Sequence, residues 1–182
     1  MREVAPEPEL AALLAKYDAN GGVMDYIFLE AETECPREQL HRSAALAGMA
    51  AIDRRIEHWV RWDEAKLTGE RVPFPVFWGT DDVEPKPLRD NAWSIPNVDG
   101  YKAAFFHPPH SLQASAKETA ELFAGINRHV LGDVPELAEI FSWSTDWSNY
   151  FDEGHEWWGA FFWTIRAAGM GRFVVVGASA SD

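Results

Sequence analysis

Cysteine is almost missing from this chain. Cys35 stands alone among 182 residues, which excludes an internal disulfide and any cysteine-rich zinc site. Cationic side chains are also scarce. Sixteen lysines and arginines face 29 aspartates and glutamates, for a net charge of −13. Nucleic-acid binding depends on clustered basic groups that displace counterions, so no nucleic-acid partner is expected. Anionic membrane surfaces are disfavoured for the same reason. The longest apolar run, Trp157 to Ile165, falls well short of the ~20 residues that cross a bilayer as a helix. The opening MREVAPEPE has no apolar stretch behind a basic start, so no secretory signal is read there and a cytoplasmic location is expected. Also lacking are a glycine-rich phosphate loop, a serine nucleophile elbow and a paired-cysteine motif.

What the chain does have is the composition of one folded domain. Its hydrophobic fraction is 47%, and its length suffices for a proper core. Residues 1–9, with Pro6, Pro8 and three glutamates, read as a flexible arm ahead of a single domain over 10–182. Leu10, Leu13 and Leu14 suggest a short helix stopped by Asn20-Gly21-Gly22. VMDYIFLEA, from Val23 to Ala31, suits a central strand. Leu40 to about Leu67 reads as one long helix. Pro73 and Pro75 reduce RVPFPVFWG to an edge strand or extended loop. Tyr101–Phe106 resembles a strand. Ser115 and Glu118 form a capping-box pattern ahead of a helix that Gly132 follows. Ala138–Trp143, Trp157–Ile165 and Arg172–Gly177 read as strands, the last two joined by the turn Ala168-Gly169-Met170-Gly171. The expected class is α+β: two layers, a largely antiparallel sheet with helices packed on one face.

One segment asks for a function. Between Arg128 and Arg166 there is no lysine or arginine, while Asp133, Glu136, Glu139, Asp146, Asp152, Glu153 and Glu156 all fall inside. Ten aromatic residues lie between Phe141 and Trp163, most densely interleaved with acids in DWSNYFDEGHEWW. Aromatic faces attract cations and carboxylates balance their charge. The same mixture suits sugars, or a hot spot for a basic protein. The stretch WSTDWSNYFDEGHEWWGAFFWTI, with VVVGASASD behind it, resembles a C-terminal block of small bacterial proteins to which no activity is attached, so the resemblance implies nothing about catalysis.

The leading expectation is an accessory or inhibitor-type protein, immunity-like or antitoxin-like and not an enzyme. It would bind a basic protein partner through Trp143, Asp146, Trp147, Tyr150, Glu153 and Trp157. The alternative is a small enzyme or ligand-binding protein for a sugar or cationic small molecule, with Trp143, Trp147, Trp157 and His155 as pocket walls. Asp152, His155 and Glu156 are then the candidates for acid–base chemistry. A concave site with convergent carboxylates favours this alternative, and a flat exposed aromatic patch favours the first. A third possibility places the site in the 68–100 segment. No cofactor is required by any motif, and a divalent metal is the one the residues leave open. His155 is the first candidate ligand. His107 and His110 of His-Pro-Pro-His are weaker, because a polyproline spacing holds the rings about 9 Å apart along the axis. Cys35, just ahead of a helix, reads as a bystander thiol.

Overall fold

Val174, Val175 and Val176 are all buried, although neighbouring strand residues point to opposite faces. A strand of that kind needs cover on both sides, and the fold supplies it. The computed structural model describes residues 1–31, 36–80, 83–84 and 99–179. In chain order its elements are β1 (Arg2–Glu3), α1 (Pro8–Ala19), β2 (Met24–Glu30), α2 (Arg37–Arg55), β3 (Gly69–Arg71), α3 (Phe74–Trp78), α4 (Gly100–Phe106), α5 (Ala116–Leu131), β4 (Glu139–Trp143), α6 (Asp152–Trp157), β5 (Phe161–Arg166) and β6 (Arg172–Ala178). The strands form one sheet in the order β1-β2-β6-β5-β4-β3. Every neighbouring pair is antiparallel.

The α+β class and the antiparallel sheet are as expected, and the helices pack on the sheet. They take both faces where the sequence suggested one. Tyr26, Phe28, Val174, Val176, Trp163 and Ile165 belong to one apolar cluster, with residues of α1, α4 and α5. Ile27, Leu29, Phe173, Val175 and Phe162 belong to a second, with Ala44, Ala45, Met49 and Ile52 of α2. The alternation along β2 and β6 divides the two clusters. At Gly48 a Cβ would stand 2.5 Å from a Val175 methyl, so a residue without a side chain lets α2 lie close against the sheet.

Several local expectations change. The long helix ends at Arg55, because Glu57 and His58 both take positive φ, 64° and 63°, which halts helical propagation in any L-residue. Tyr101–Phe106 is helix, not strand. Gly100, Tyr101 and the run Ala103–Phe106 are all buried, so the segment lacks the polar face that would announce helical periodicity. Trp157 closes the short helix α6, and the strand behind it begins only at Phe161. Pro73 and Pro75 lead into α3 after the three-residue edge strand β3.

Residues 1–9, expected as a free arm, are tied down. Arg2 and Glu3 pair with Glu30 and Leu29, the Val4 amide donates to the Phe28 carbonyl at 2.9 Å, and Glu3 bridges Arg54 and Arg55 at 2.6 and 3.3 Å. The capping box at Ser115 and Glu118 is formed with both reciprocal bonds. Among the described residues, no helix is long and apolar enough to cross a membrane. Cys35 and most of residues 81–98 lie outside the described residues, and with them about half of the 68–100 alternative.

Candidate functional site

The aromatic residues of the acidic segment divide between core and rim. Trp147 is 2% exposed and Trp143 is also buried; both sit in the cluster under α2. The Trp143 indole donates to Thr164 Oγ1 at 2.9 Å. These two rings therefore fill the core and cannot serve as surface anchors or pocket walls, which corrects the expectation for them. Period-two placement explains Trp143: β4 directs Phe141 and Trp143 together toward α2. The Trp157 side chain lies outside what is described.

The carboxylates of the segment behave differently. Asp146, Asp152, Glu153 and Glu156 are exposed, the last three on α6. His155 is exposed, and its Nε2 shares a 2.7 Å hydrogen bond with Thr145 Oγ1. Asp152, His155 and Glu156 do not converge on a common point: among the described residues no three histidines, cysteines or carboxylates are placed to hold a metal ion. His107 and His110 do not take the extended spacing expected of them. The Ser111 amide donates to the Pro108 carbonyl at 3.0 Å, so Pro108-Pro109 opens a turn and not the extended polyproline spacing expected. His107 Nε2 meets the Glu84 carbonyl at 3.0 Å, while His110 faces a cleft elsewhere.

That cleft has a volume of about 680 Å³. It lies where β2 begins and β6 ends, beside the C-terminal end of α2. Its charged walls are Asp18, Asp25 and Glu153, and its aromatic walls Trp59 and Tyr150, with Ser179 also at its border. None of the described residues lining it is lysine or arginine. Tyr150 and Glu153, and His110 as a candidate metal ligand, were singled out in the sequence. Asp18, Asp25, Trp59 and Ser179 were not, and no local motif marks them, because the cleft is assembled from segments far apart in sequence.

Local chemistry places each wall. Asp53 holds the chain reversal after α2: its carboxylate accepts from the Val60 amide at 3.0 Å and meets His58 Nδ1 at 3.0 Å. Two consecutive left-handed residues then project Trp59 outward, leaving a large ring 48% exposed. Such strained, exposed placement is characteristic of binding sites. Asp25 occupies the α2 face of β2, opposite Gly177 of β6. With no side chain at Gly177, the Tyr150 hydroxyl reaches across to donate to Asp25 Oδ2 at 2.7 Å.

Burial pushes the Asp25 carboxyl above its ordinary range. The Tyr150 hydrogen bond and Arg55 oppose the shift, and nearby Asp18 adds to it. Burial, with the Asp25 charge behind it, raises the Tyr150 hydroxyl well above its usual value, so Tyr150 stays a proton donor. Ser179 Oγ is buried and has no hydrogen-bond partner, an uncommon state for a polar atom beside a cleft. Last, the carbonyl end of α2 carries partial negative charge, and Ile56, which caps that end, is part of the wall.

Comparison of the chain with protein-family models, with curated proteins and with solved structures finds no match.

Proposed function

We propose that this protein binds a small organic cation, an amine or quaternary ammonium compound, in the cleft beside the end of α2. The observation that carries the proposal is the convergence of Asp18, Asp25 and Glu153 around an exposed indole, with no lysine or arginine among the described lining residues. An aromatic face attracts a cation through its quadrupole, by about 0.5–2 kcal/mol depending on desolvation. Carboxylates supply the counter-charge, and the volume falls within the range of small-molecule sites. Asp25, partly buried at the floor of the strand pair, would make the closest ionic contact. No nucleophile, metal or paired acid and base is required, and binding is the whole of the proposed activity.

The test is calorimetric titration with a set of small amines, namely an aliphatic diamine, choline and a neutral sugar, at low and high salt. Saturable binding of a cation that weakens with salt, is lost in Asp25→Asn and falls severalfold in Trp59→Ala, supports the proposal. Binding of the neutral sugar alone, or no binding by any of the three, overturns it.

A second reading keeps one observation of its own. The exposed carboxylates Asp146, Asp152, Glu153 and Glu156 lie in a stretch without a lysine or arginine, which suits long-range steering of a basic protein. Charge reversal at Asp152 and Glu156, which do not line the cleft, separates the two readings. It should slow association of a basic protein and leave amine binding unchanged.

A further inference from the structure

At the other end of α2 the charges reverse. A second cleft, of about 490 Å³, is lined by Arg37, Arg71 and Arg166 with Glu139 among them. Three of the sixteen cations of a chain with net charge −13 therefore meet in one hollow. Strand register explains the meeting. Glu139 stands opposite Arg166, and Phe141 opposite Arg71, so β3, β4 and β5 present Arg71, Glu139 and Arg166 on the face that α2 covers. Arg37 is the first residue of α2 and lies 3.6 Å from Glu139 Oε1. Among the described residues, neither Arg71 nor Arg166 has an ion-pair partner within 4.0 Å. Arg166 stands over the Phe173 ring, 5.6 Å from its centre.

Two further features address an anion. The helix is 19 residues long, and its cap, Pro36, makes no side-chain hydrogen bond to the first turn, so the partial positive charge of its leading amides adds to that of the arginines there. Behind Glu139 lies His41, wholly buried. Its Nδ1 is bonded to Thr164 Oγ1 at 2.8 Å, and the same hydroxyl receives the Trp143 indole proton. In the arrangement that uses each proton once, the Thr164 hydrogen goes to Nδ1 and the ring proton sits on Nε2. That Nε2 has no hydrogen-bond partner and faces Glu139 Oε2 at 3.8 Å, too far for a hydrogen bond.

We infer that this hollow is a binding site for a small, multiply charged oxyanion of the phosphate type, held by Arg37, Arg71 and Arg166 at the N-terminus of α2. Three guanidinium groups and one carboxylate leave a formal charge of +2, which a dianion neutralises. Planar guanidinium forks match tetrahedral oxyanions through paired hydrogen bonds. Glu139 is the resident counter-charge, loosely held at 3.6 and 3.8 Å. It sets the selectivity, since it repels a weakly held anion and yields only to one that engages several arginines.

Inorganic phosphate is the probe. Adding it to the full chain should raise Tm saturably beyond sodium chloride of equal ionic strength and should shift the His41 ring resonances but not those of His58 or His155. The double variant Arg37→Gln/Arg71→Gln replaces two exposed side chains, so it should fold. It should bind phosphate at least roughly tenfold more weakly, the cost of losing one or more charge-assisted contacts. Glu139→Gln should bind more tightly. A Tm response that chloride reproduces, unmoved His41 resonances under saturating phosphate, or undiminished binding by the double variant overturns the site.

Discussion

At its first turn α2 carries Arg37 and faces Arg71 and Arg166; at its last, Ile56 borders walls made by Asp18, Asp25 and Glu153. The two ends lie ~28 Å apart, from 19 residues at 1.5 Å each. That is well beyond the ~8 Å screening length of physiological salt, so each end presents its own field to a ligand. In both clefts the lining charge has the sign of the nearby helix end, cations by the amide end and carboxylates by the carbonyl end, whereas α2 itself carries Glu38 in its first turn and Arg54 and Arg55 in its last. A net charge of −13 describes the sum and conceals the division. The middle of α2 is different again, since Ala44, Ala45, Gly48 and Ile52 seat it tightly on β2, β5 and β6.

The largest perturbation should reach both ends at once. Trp147→Ala removes a 2%-exposed ring from beneath α2, at a cost of about 3–5 kcal/mol. Chemical denaturation should show the loss, and amine and phosphate binding should weaken together. A variant that keeps its stability would place Trp147 on the surface and undo the division between core and rim.

Next in size is the pH dependence, where the two ends should pull in opposite directions. Burial lowers His41 to about 4, with Glu139 opposing and Arg166 and Arg71 adding to the shift. The unfolded chain binds that proton at about 6.5. His41 therefore contributes stability that is complete above pH 6.5 and is lost as pH falls toward 4, in all roughly 3 kcal/mol. Denaturation midpoints of the parent and of His41→Phe between pH 7 and 4 measure it, and the variant should lose much of the slope. Asp25 has the reverse sign, because a carboxyl raised in the folded state is least costly while protonated. Its contribution is present below pH 3.8 and is lost as pH rises through the folded value. Asp25→Asn keeps an acceptor for Tyr150 and should raise the midpoint at pH 7 by a smaller amount, while abolishing amine binding.

The smallest effect on stability should come from Trp59→Ala. A half-exposed ring costs within about 0.5 kcal/mol when removed, yet amine affinity should fall severalfold, with phosphate binding untouched. Loss of phosphate binding in this variant would mean that the two ends are coupled.

Much of the framework was legible because local chemistry determines it. Asn20-Gly21-Gly22 ends α1, Ser115 and Glu118 start α5, and the valines after Ala168-Gly169-Met170-Gly171 make the hairpin of β5 and β6. Short apolar runs were less legible. All of Gly100–Phe106 except Lys102 is buried, and neither helical nor strand periodicity is legible in such a stretch. The clefts were hidden for another reason. Asp25 and Tyr150 stand 125 positions apart and meet because β6, the last strand, pairs with β2 near the beginning. Arg71 and Arg166 converge through β4 in the same way. The Asp146–Trp158 segment did contain part of the rim, Tyr150 and Glu153. Its tryptophans drew attention to chemistry when Trp143 and Trp147 serve packing.

The outermost strands carry a consequence for behaviour in concentrated solution. β1 and β3 are two and three residues long, and all five residues are exposed. Arg2, Glu3, Glu70 and Arg71 put charge along both margins of the sheet, where an open, apolar edge would invite a second molecule to add its own strand. The margin at β1 is the thinner of the two. Behind it lies β2, seven residues long and mostly apolar, covered among the described residues by Arg2, Glu3, the Val4 amide and the Arg55 guanidinium, which donates to the Tyr26 carbonyl. Proteolytic clipping after Val4 would bare that edge, and the expected outcome is a folded protein that self-associates, with light scattering increasing in step with concentration.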